Sequence, residues 1–256
     1  MTLRRVLDAR SVAVVGASQD EKKRGHQAIR ALLDAGYDGA IYPIHPREES
    51  ILGLRCHARL ADIEGPVDLA LITTPAATVP GLLRECGEKG VAGAIVIAGG
   101  FGELGARGRR LQDDMVRIAR RHGVRIIGPN TSGMIGVHAG LNLVGLHDVP
   151  KGDLALLSQS GNMALHVITE ARLKSQKGFS YYVGVGNESD LQFDEYLRFL
   201  ADDPRTAAVV LYVEGMSDGR AFLQEAHRTT RKKPIILLKS GRSATGSRSA
   251  GSNTGV

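Results

Sequence analysis

The sequence predicts an α/β fold in which a doubly wound, Rossmann-like domain is followed by a second α/β domain. Short β-rich apolar runs alternate with longer amphipathic stretches, which is typical of βαβ units that feed a parallel sheet. Glycines and other small residues follow these runs, where turns from strand to helix are expected. The chain has 256 residues, of which 43% are hydrophobic and 23% are charged, as expected for one large or two medium globular domains.

In the first domain, glycine and proline mark the limits of the predicted elements. Pro80 is expected in the first turn of its helix, where the missing N–H costs nothing. The helix predicted before Gly36 and the one before Gly123 both end at a residue that favours a helix terminus. The predicted strands are 11–15, 40–44, 69–73, 94–97 and 124–127, and the predicted helices are 26–35, one from 80, and 112–121.

The second domain is predicted to begin after Pro150, and we expect domain limits of 1–140 and 150–256. Its predicted strands are 154–157, 179–185, 207–213 and 235–238, and its predicted helices are 163–174, 193–200 and 220–230. A parallel strand normally needs a covering helix, but the last strand runs into a stretch rich in glycine and serine. We therefore expect an incomplete second domain, cut from a longer polypeptide.

Composition argues against several classes of protein. The net charge is +6, but basic residues are scattered and aromatic residues make up only 4%, so nucleic-acid binding is not expected. No apolar run approaches the roughly 18 residues of a membrane helix, and residues 1–10 lack the apolar core of a signal peptide. We expect a cytoplasmic protein that does not bind membranes. Cys56 and Cys86 are too few for a disulfide framework and lack the spacing of a metal site.

The first candidate ligand site is the turn after the first strand. Small residues there let a phosphate approach backbone N–H groups at a helix N-terminus. Three basic residues in the same loop either hold ligand phosphates or form a solvated charge run. An NAD site is disfavoured, because G-x-G-x-x-G is missing and the second strand ends in His45 and Pro46 instead of an acidic residue. The candidate residues are Gly16, Ala17, Ser18, Lys22, Lys23 and Arg24.

Three more loops that contain glycine or small residues follow the ends of predicted strands. In an open α/β sheet, ligands bind outside the carboxyl ends of the strands, so these loops would line one groove. Each loop is equally explained as a tight turn, since glycine and proline mark turns in general. The candidate binding residues in these loops are Pro75, Gly99, Gly100, Phe101 and Asn130.

The segment Ser158, Gln159, Ser160, Gly161 follows a predicted strand and opens a predicted helix. Two hydroxyls and several free N–H groups converge there on the positive end of a helix, which would suit a phosphate group. A serine-capped helix without a ligand is the alternative. The motif alone leaves both interpretations open.

These loops, in this order, and the ending Ser252, Asn253, Thr254, Gly255 resemble the CoA-binding and phosphoryl-relay region of the NDP-forming (ADP-forming) acyl-CoA synthetases. That family is related to the succinyl-CoA synthetase α subunit, and the resemblance extends from 11 to 255. It implies a Rossmann-like CoA-binding domain followed by a flavodoxin-like domain. The implied reaction converts acyl-CoA, phosphate and NDP into free acid, CoA and NTP through an acyl phosphate and a phosphohistidine.

The resemblance also implies roles for individual residues and partners. Asn253 occupies the position of the histidine that carries the phosphoryl group, Glu214 that of the glutamate that orients this histidine, and the Ser158 to Gly161 loop receives the phosphoryl group. The ligand would be coenzyme A or acyl-CoA. The nucleotide, with Mg, would be held by an ATP-grasp subunit or domain that this sequence does not contain. A small carboxylic acid and an oligomeric assembly complete the expectation.

Asn253 departs from the family pattern in a decisive way. A relay needs a nucleophilic imidazole, and a carboxamide nitrogen is almost non-basic. This form of the chain is therefore expected to be inactive in phosphoryl transfer. Asn253 is either an engineered replacement in an active synthetase or a natural residue. In the second case the chain would resemble the acyl-CoA-sensing region of multidomain protein lysine acetyltransferases. An NAD(P)-dependent oxidoreductase is a third hypothesis and rests on the Rossmann pattern alone.

Overall fold

The computed structural model describes residues 2–175 and 177–241 and contains two sheets that are mainly parallel and covered by helices. The helices are α1 (Thr2–Leu7), α2 (Arg24–Asp34), α3 (Val79–Lys89), α4 (Ala106–Arg121), α5 (Gly161–Glu170), α6 (Phe193–Asp202) and α7 (Gly219–Thr230). The strands are β1 (Ser11–Val15), β2 (Ala40–Ile44), β3 (Ser50–Ile51), β4 (Leu54–Arg55), β5 (Leu69–Ile72), β6 (Gly93–Val96), β7 (Arg125–Ile127), β8 (Met134–Gly136), β9 (Leu141–Asn142), β10 (Lys151–Ser158), β11 (Phe179–Gly184), β12 (Ala208–Val213) and β13 (Ile235–Lys239).

The first sheet has the strand order β2-β1-β5-β6-β7, and all of its strands are parallel. Every residue of β1 is buried, as expected for a parallel strand that is covered on both faces. After β1 the chain adds β2 on one side and then returns to add β5 on the other side. This reversal leaves a crevice between the carboxyl ends of β1 and β5, which is the usual ligand position in such sheets.

The second sheet has the order β13-β12-β10-β11-β8-β9. The strands β10 to β13 are parallel, and the short β8–β9 hairpin pairs antiparallel with β11. The chain therefore crosses to the second sheet between Ile127 and Met134. The predicted first domain, 1–140, thus includes β8, which pairs with the second sheet, and its limit separates β8 from β9 of the same hairpin. Strands of two and three residues are too short to show the alternation on which the sequence analysis depends.

One apolar core joins the two sheets. A single cluster of buried side chains runs from Val12 and Leu71 in the first sheet, through Leu141 in the hairpin, to Tyr181 and Leu211 in the second sheet. A separate cluster under α3 and α4 fills the other face of the first sheet. Because the first cluster is continuous, we expect the two sheets to unfold together.

Ion pairs form a second link between the sheets. The side chain of Asp190, in the loop after β11, is 1% exposed and accepts hydrogen bonds from Arg125 Nε (2.8 Å), Arg120 Nε (3.0 Å) and the backbone N–H of Ile126 (2.9 Å). Arg125 also forms two 2.8 Å hydrogen bonds with the carboxylate of Glu195 in α6. Its bonds to Glu195, and secondarily to Asp190, raise the pKa of Arg125 despite its partial burial.

Most predicted elements of the first sheet and of α6, α7 and β13 agree with the structure to within about two residues, the usual uncertainty of element ends. Helix α4 begins six residues earlier than the predicted 112, after a turn at Gly105, which has φ +83°. The predicted helix 163–174 is an α-helix that ends at Glu170 and continues as a π-helical turn. Helix α1 and the β3–β4 and β8–β9 hairpins were not predicted.

Strand β13 lies at the edge of the second sheet and has exposed apolar side chains on both faces. Ile236, Leu237 and Leu238 are 59%, 47% and 55% exposed. Among the described residues, no helix is both long enough and apolar enough to cross a lipid bilayer.

Candidate functional site

The turn after β1 lies in the crevice between β1 and β5. Gly16 has φ +88°, and a Cβ there would lie 2.6 Å from Thr73 Oγ1, so only glycine fits between this turn and the end of β5. A Cβ on Gly25 would lie 2.2 Å from the Gly16 carbonyl oxygen, which shows how closely α2 approaches the turn. Lys23, the N-cap residue of α2, makes no side-chain cap. This arrangement presents backbone N–H groups at a helix N-terminus, as an anion requires.

The side chains of the same loop divide into two groups. Lys22 and Lys23 are exposed. Arg24 instead donates to the carbonyl oxygens of three residues: Val144 at 2.6 Å, Ser132 at 2.9 Å and Leu143 at 3.2 Å. Burial lowers the pKa of Arg24. The prediction that Arg24 holds a ligand phosphate therefore requires a correction, because its guanidinium group binds the turn between the two sheets.

Ala17 and Ser18 contribute to the turn mainly through their backbone. The side chain of Ala17 is buried, and the hydroxyl of Ser18 accepts the N–H of Asp20 at 3.1 Å. The carbonyl oxygen of Ser18 is 3.0 Å from His26 Nδ1. Both residues hold the loop in shape, and their place in a ligand site remains a prediction.

The loops after β5 and β6 lie next to each other at the same edge of the sheet. Pro75 is exposed, and a Cβ on Gly100 would touch Ala76 at 3.4 Å. Gly99 is exposed, and Gly100 has φ +106°. Phe101, which was also predicted as a contact residue, is fully buried in the core under α3 and α4. Its side chain therefore cannot line the groove, and only its backbone lies at the site.

A polar cluster joins this edge to the second sheet. Glu103 accepts the backbone N–H groups of Gly100 and Phe101, and its other oxygen accepts Asn187 Nδ2 at 2.6 Å. Asn130 Nδ2 donates to Asn187 Oδ1 at 3.3 Å. Asn187 belongs to the loop after β11, so its side chain reaches from the second sheet to the loops of the first. The family resemblance also aligns 184–187 with a second anion-facing loop, but it did not indicate the contact between Asn187 and Glu103.

The predicted phosphate loop follows β10, and its side chains are largely used within the loop. Ser158 Oγ donates to the Ser160 carbonyl at 2.7 Å, and Ser160 Oγ caps α5 by accepting the N–H of Met163 at 3.3 Å. Gly161 and Asn162 are exposed at the start of the helix. The serine-capped helix is thus present, and the groups that face solvent are those of its first turn, where anions bind favourably.

Gln159 links this loop to the segment that contains Glu214. Its amide oxygen accepts the N–H of Glu214 at 2.6 Å and of Gly215 at 3.0 Å, and its amide nitrogen donates to Glu188 Oε2 at 3.3 Å. Glu188 is buried, and Oε1 accepts the N–H of Phe193 at 2.9 Å. Burial raises the pKa of Glu188 to about 7. Glu188 is a site residue that the sequence analysis missed.

The carboxyl ends of β10, β11, β12 and β13 lie at one edge, since Ser158 pairs with Gly184 and Tyr212, and Tyr212 pairs with Leu238. The structure therefore brings the phosphate loop and the Glu214 segment together. Asn253 lies outside the described residues. In the two described ranges, no group of three or more potential metal ligands occurs.

Two sequence families match this chain. Residues 10–136 match the CoA binding domain, and residues 151–256 match the succinyl-CoA ligase like flavodoxin domain. The α subunit of acetate–CoA ligase [ADP-forming] II from Pyrococcus furiosus is 43% identical over 246 residues, which cover 96% of this chain and 53% of that protein. The chain belongs to the ADP-forming acyl-CoA synthetase family. It corresponds to the α-type, CoA-binding region of these enzymes.

Two further relatives agree with this assignment. Acetate–CoA ligase [ADP-forming] from Methanocaldococcus jannaschii is 42% identical, and the match covers 96% of this chain and 34% of that protein. The solved structure of dinucleotide forming acetyl-coenzyme A synthetase 1 from Ca. Korarchaeum cryptofilum, in complex with phosphate and ADP, superimposes with a TM-score of 0.94 at 39% identity. That match covers 100% of this chain and 55% of the other. The chain spans about half the length of the P. furiosus subunit and of the K. cryptofilum protein.

Proposed function

We propose that this chain binds CoA thioesters across the carboxyl edge of its first sheet and inorganic or transferring phosphate at the start of α5. The observation that carries the proposal is the crevice between β1 and β5, where Gly16 leaves no room for a side chain beside Thr73. The N-terminus of α2 and the exposed Lys22 and Lys23 belong to the loop beside this crevice, whereas the N–H groups of Gly16 and Ala17 donate to the Ile44 carbonyl at 3.3 Å. The family match and the solved relatives support CoA as the ligand.

The residues present fit such a ligand in chemical terms. CoA carries several phosphate charges, which suit the lysines and the helix N-terminus, and an uncharged arm that needs a narrow groove with little side-chain bulk. Gly99 and Gly100 offer this groove beside Pro75, and Asn130 offers a polar group where the first edge meets the second. A Cβ on Gly161 would lie 3.4 Å from Ser132 Cβ, so the start of α5 lies beside the segment that follows Asn130.

Calorimetry with CoA and acetyl-CoA tests this proposal. We expect binding that weakens as salt increases, because much of the attraction involves ligand phosphates. The double variant Lys22→Ala/Lys23→Ala should bind more weakly and with a smaller salt dependence. The control Arg172→Ala/Lys174→Ala removes the same charge from exposed residues of the π-helical turn and should bind as the wild type does. Absence of heat at millimolar ligand, or stronger binding of NAD than of CoA, rejects the proposal.

We further propose that this form of the chain does not relay phosphoryl groups. In the reaction that the resemblance implies, phosphate displaces CoA from the acyl group, the acyl phosphate passes its phosphoryl group to an imidazole, and the acid leaves. The imidazole then transfers the phosphoryl group to an NDP held by an ATP-grasp partner. The carboxamide at position 253 cannot accept that group. Binding of the thioester and of phosphate does not require it.

The identity of residue 253 also supports a second candidate, an acyl-CoA-sensing region whose occupancy controls a fused enzyme. The variant Asn253→His, supplied with an ATP-grasp partner, separates the two. Acid-labile phosphoprotein and ADP-dependent cleavage of acyl-CoA would support the synthetase, whereas an inert variant that still binds acetyl-CoA would support the sensor. The ATP-grasp partner, the Mg-bound nucleotide, the oligomeric state and the cytoplasmic location belong to the proposal.

A further inference from the structure

The cluster around Glu103 spans the two binding loops of the proposed function. Glu103 lies in the glycine-rich loop of the first sheet, and Asn187 lies in the loop after β11 of the second. Asn187 is buried, and both N–H bonds of its amide are used, one towards Glu103 Oε2 at 2.6 Å and one towards Gln112 Oε1 at 3.0 Å. Its oxygen accepts Asn130 Nδ2. The orientation of this amide is thus determined on both sides.

Glu103 shapes the proposed CoA loop directly. One carboxylate oxygen accepts the N–H groups of Gly100 and Phe101, and Gln112 Oε1 accepts the N–H of Gly102 at 3.2 Å. Burial by itself would raise the pKa of Glu103, but the hydrogen bond from Asn187 and those from backbone N–H groups outweigh it, and the pKa is lowered. The carboxylate is therefore ionised at neutral pH, and its hydrogen bonds are of the stronger, charge-assisted kind.

The loop after β11, which contains Asn187, also contacts the predicted phosphate loop. Glu188 follows Asn187 in the chain and accepts Gln159 Nε2, and Gln159 accepts the N–H groups of Glu214 and Gly215. The backbone N–H of Asn187 donates to the Pro129 carbonyl at 2.9 Å, which anchors this loop to the first sheet. Hydrogen bonds at Asn187 and at Glu188, which are adjacent in the chain, therefore connect the Gly100 loop with the loop that begins α5.

We infer that Glu103 and Asn187 are positioning residues that couple the two binding loops, so that inorganic phosphate increases the affinity for CoA, and CoA increases the affinity for phosphate. This inference rests on the proposed function. Each ligand would hold its own loop in the conformation that the shared hydrogen bonds require, which lowers the ordering cost for the other ligand. Such coupling is reciprocal by thermodynamic necessity.

The test is calorimetric titration of CoA into the chain with saturating inorganic phosphate and with sodium chloride at equal ionic strength. For the wild type we expect phosphate to increase CoA affinity by about fivefold or more, the lower end of typical coupling between sites. Glu103→Gln should lose this increase, because a single carboxamide oxygen cannot accept both the loop N–H groups and Asn187. Asn187→Asp should lose it as well, because it places two carboxylates in contact.

The double variant Glu103→Gln/Asn187→Asp reverses the polarity of the pair. The carboxamide oxygen introduced at position 103 can accept the loop N–H groups while the carboxamide nitrogen donates to the new carboxylate at position 187. Because that carboxylate cannot donate to Gln112 Oε1, coupling should return in part. Glu88→Gln, which removes one exposed charge from α3, is the control and should couple as the wild type does. Circular dichroism of each variant establishes that it is folded.

The outcomes separate the inference from the function on which it depends. A wild type that binds CoA with the same affinity in phosphate and in chloride refutes the inference and leaves CoA binding intact. Folded single variants that retain the full phosphate effect also refute it. A wild type that gives no heat with CoA under any condition refutes the proposed function, and the inference with it. Loss in both single variants and partial recovery in the double variant is the result expected.

Discussion

Replacement of Asp190 should reveal how strongly the two sheets depend on one buried carboxylate. Asp190 lies in the second sheet's loop, and it accepts hydrogen bonds from Arg120, Arg125 and the backbone of Ile126 in the first-domain segment 106–127. In Asp190→Ala, the N–H of Ile126 and the Nε–H groups of Arg125 and Arg120 lose their acceptor. In Asp190→Asn, one oxygen can still serve Arg125 and Ile126, while the amide nitrogen faces Arg120.

The expected costs follow from the exposure of each partner. Removing one member of a buried ion pair costs about 3–5 kcal/mol. The side chain of Asp190 is 1% exposed, but those of Arg125 and Arg120 are 27% and 61% exposed. Water can therefore solvate the two guanidinium groups when Asp190 is removed, which reduces the cost in stability. We expect about 3 kcal/mol for Asp190→Ala. We expect about 1 kcal/mol for Asp190→Asn, because Arg120 can turn towards solvent.

Thermal and urea unfolding measure these costs. For a chain of this size, about 3 kcal/mol corresponds to a decrease in Tm of about 6–12 °C. The control Asp114→Ala breaks the exposed pair with Arg117 and should change the stability by less than about 0.5 kcal/mol. A decrease of under about 2 °C for Asp190→Ala, or an equal effect of the two Asp190 variants, would refute the reasoning.

Three other predictions address single residues. Gly25→Ala should lower CoA affinity at least about tenfold and cost about 1–3 kcal/mol, because its Cβ would lie 2.2 Å from the Gly16 carbonyl oxygen. Gly81→Ala, with open space around its Cβ, is the matched control and should leave binding unchanged. Burial raises the pKa of Glu188 from 4.5 to about 7, so the folded state binds the extra proton. The free energy of unfolding should therefore fall as the pH rises from 4.5 to about 7, by up to about 1.4 kcal/mol per pH unit. Urea unfolding at several pH values should show that this decrease is absent in Glu188→Gln. The same pH dependence in the variant and the wild type would contradict the raised pKa of Glu188. A thiol reagent should label the half-exposed Cys56 in the native protein, and Cys86, whose pKa burial raises to about 12, only after denaturation. Rapid native labelling of both thiols would contradict the buried position of Cys86.

Much of the first sheet could be predicted, because its strands are short apolar runs with glycine or proline at their ends. Strands β1 and β2 have the predicted limits. Helix α4 was predicted too short because its first six residues, which include three arginines, carry no apolar stripe. The β8–β9 hairpin was missed because so few residues show no period, and its partner strand is more than forty residues away.

The candidate site was predicted in part, for a similar reason. Glycine-rich turns after strands are visible in the sequence, and the parallel sheet brings them to one edge. The roles of individual side chains were harder to predict. Arg24 and Phe101 occupy suitable positions in the chain, but the first binds carbonyl oxygens of a distant turn and the second fills the core. The direction of a side chain depends on neighbours that local sequence does not contain.

The sequence by itself determined the alternation of strands and helices, the position of the glycine turns and the chemistry of residue 253. These properties depend on local conformational preference and on the side chain itself. Only the tertiary structure decided that Glu103 contacts Asn187, that Asp190 joins the two sheets, and that Glu188 is buried beside Gln159. Such contacts bring together residues that are between 29 and 84 positions apart, and the free energy that selects them comes from burial and hydrogen bonding in the assembled core.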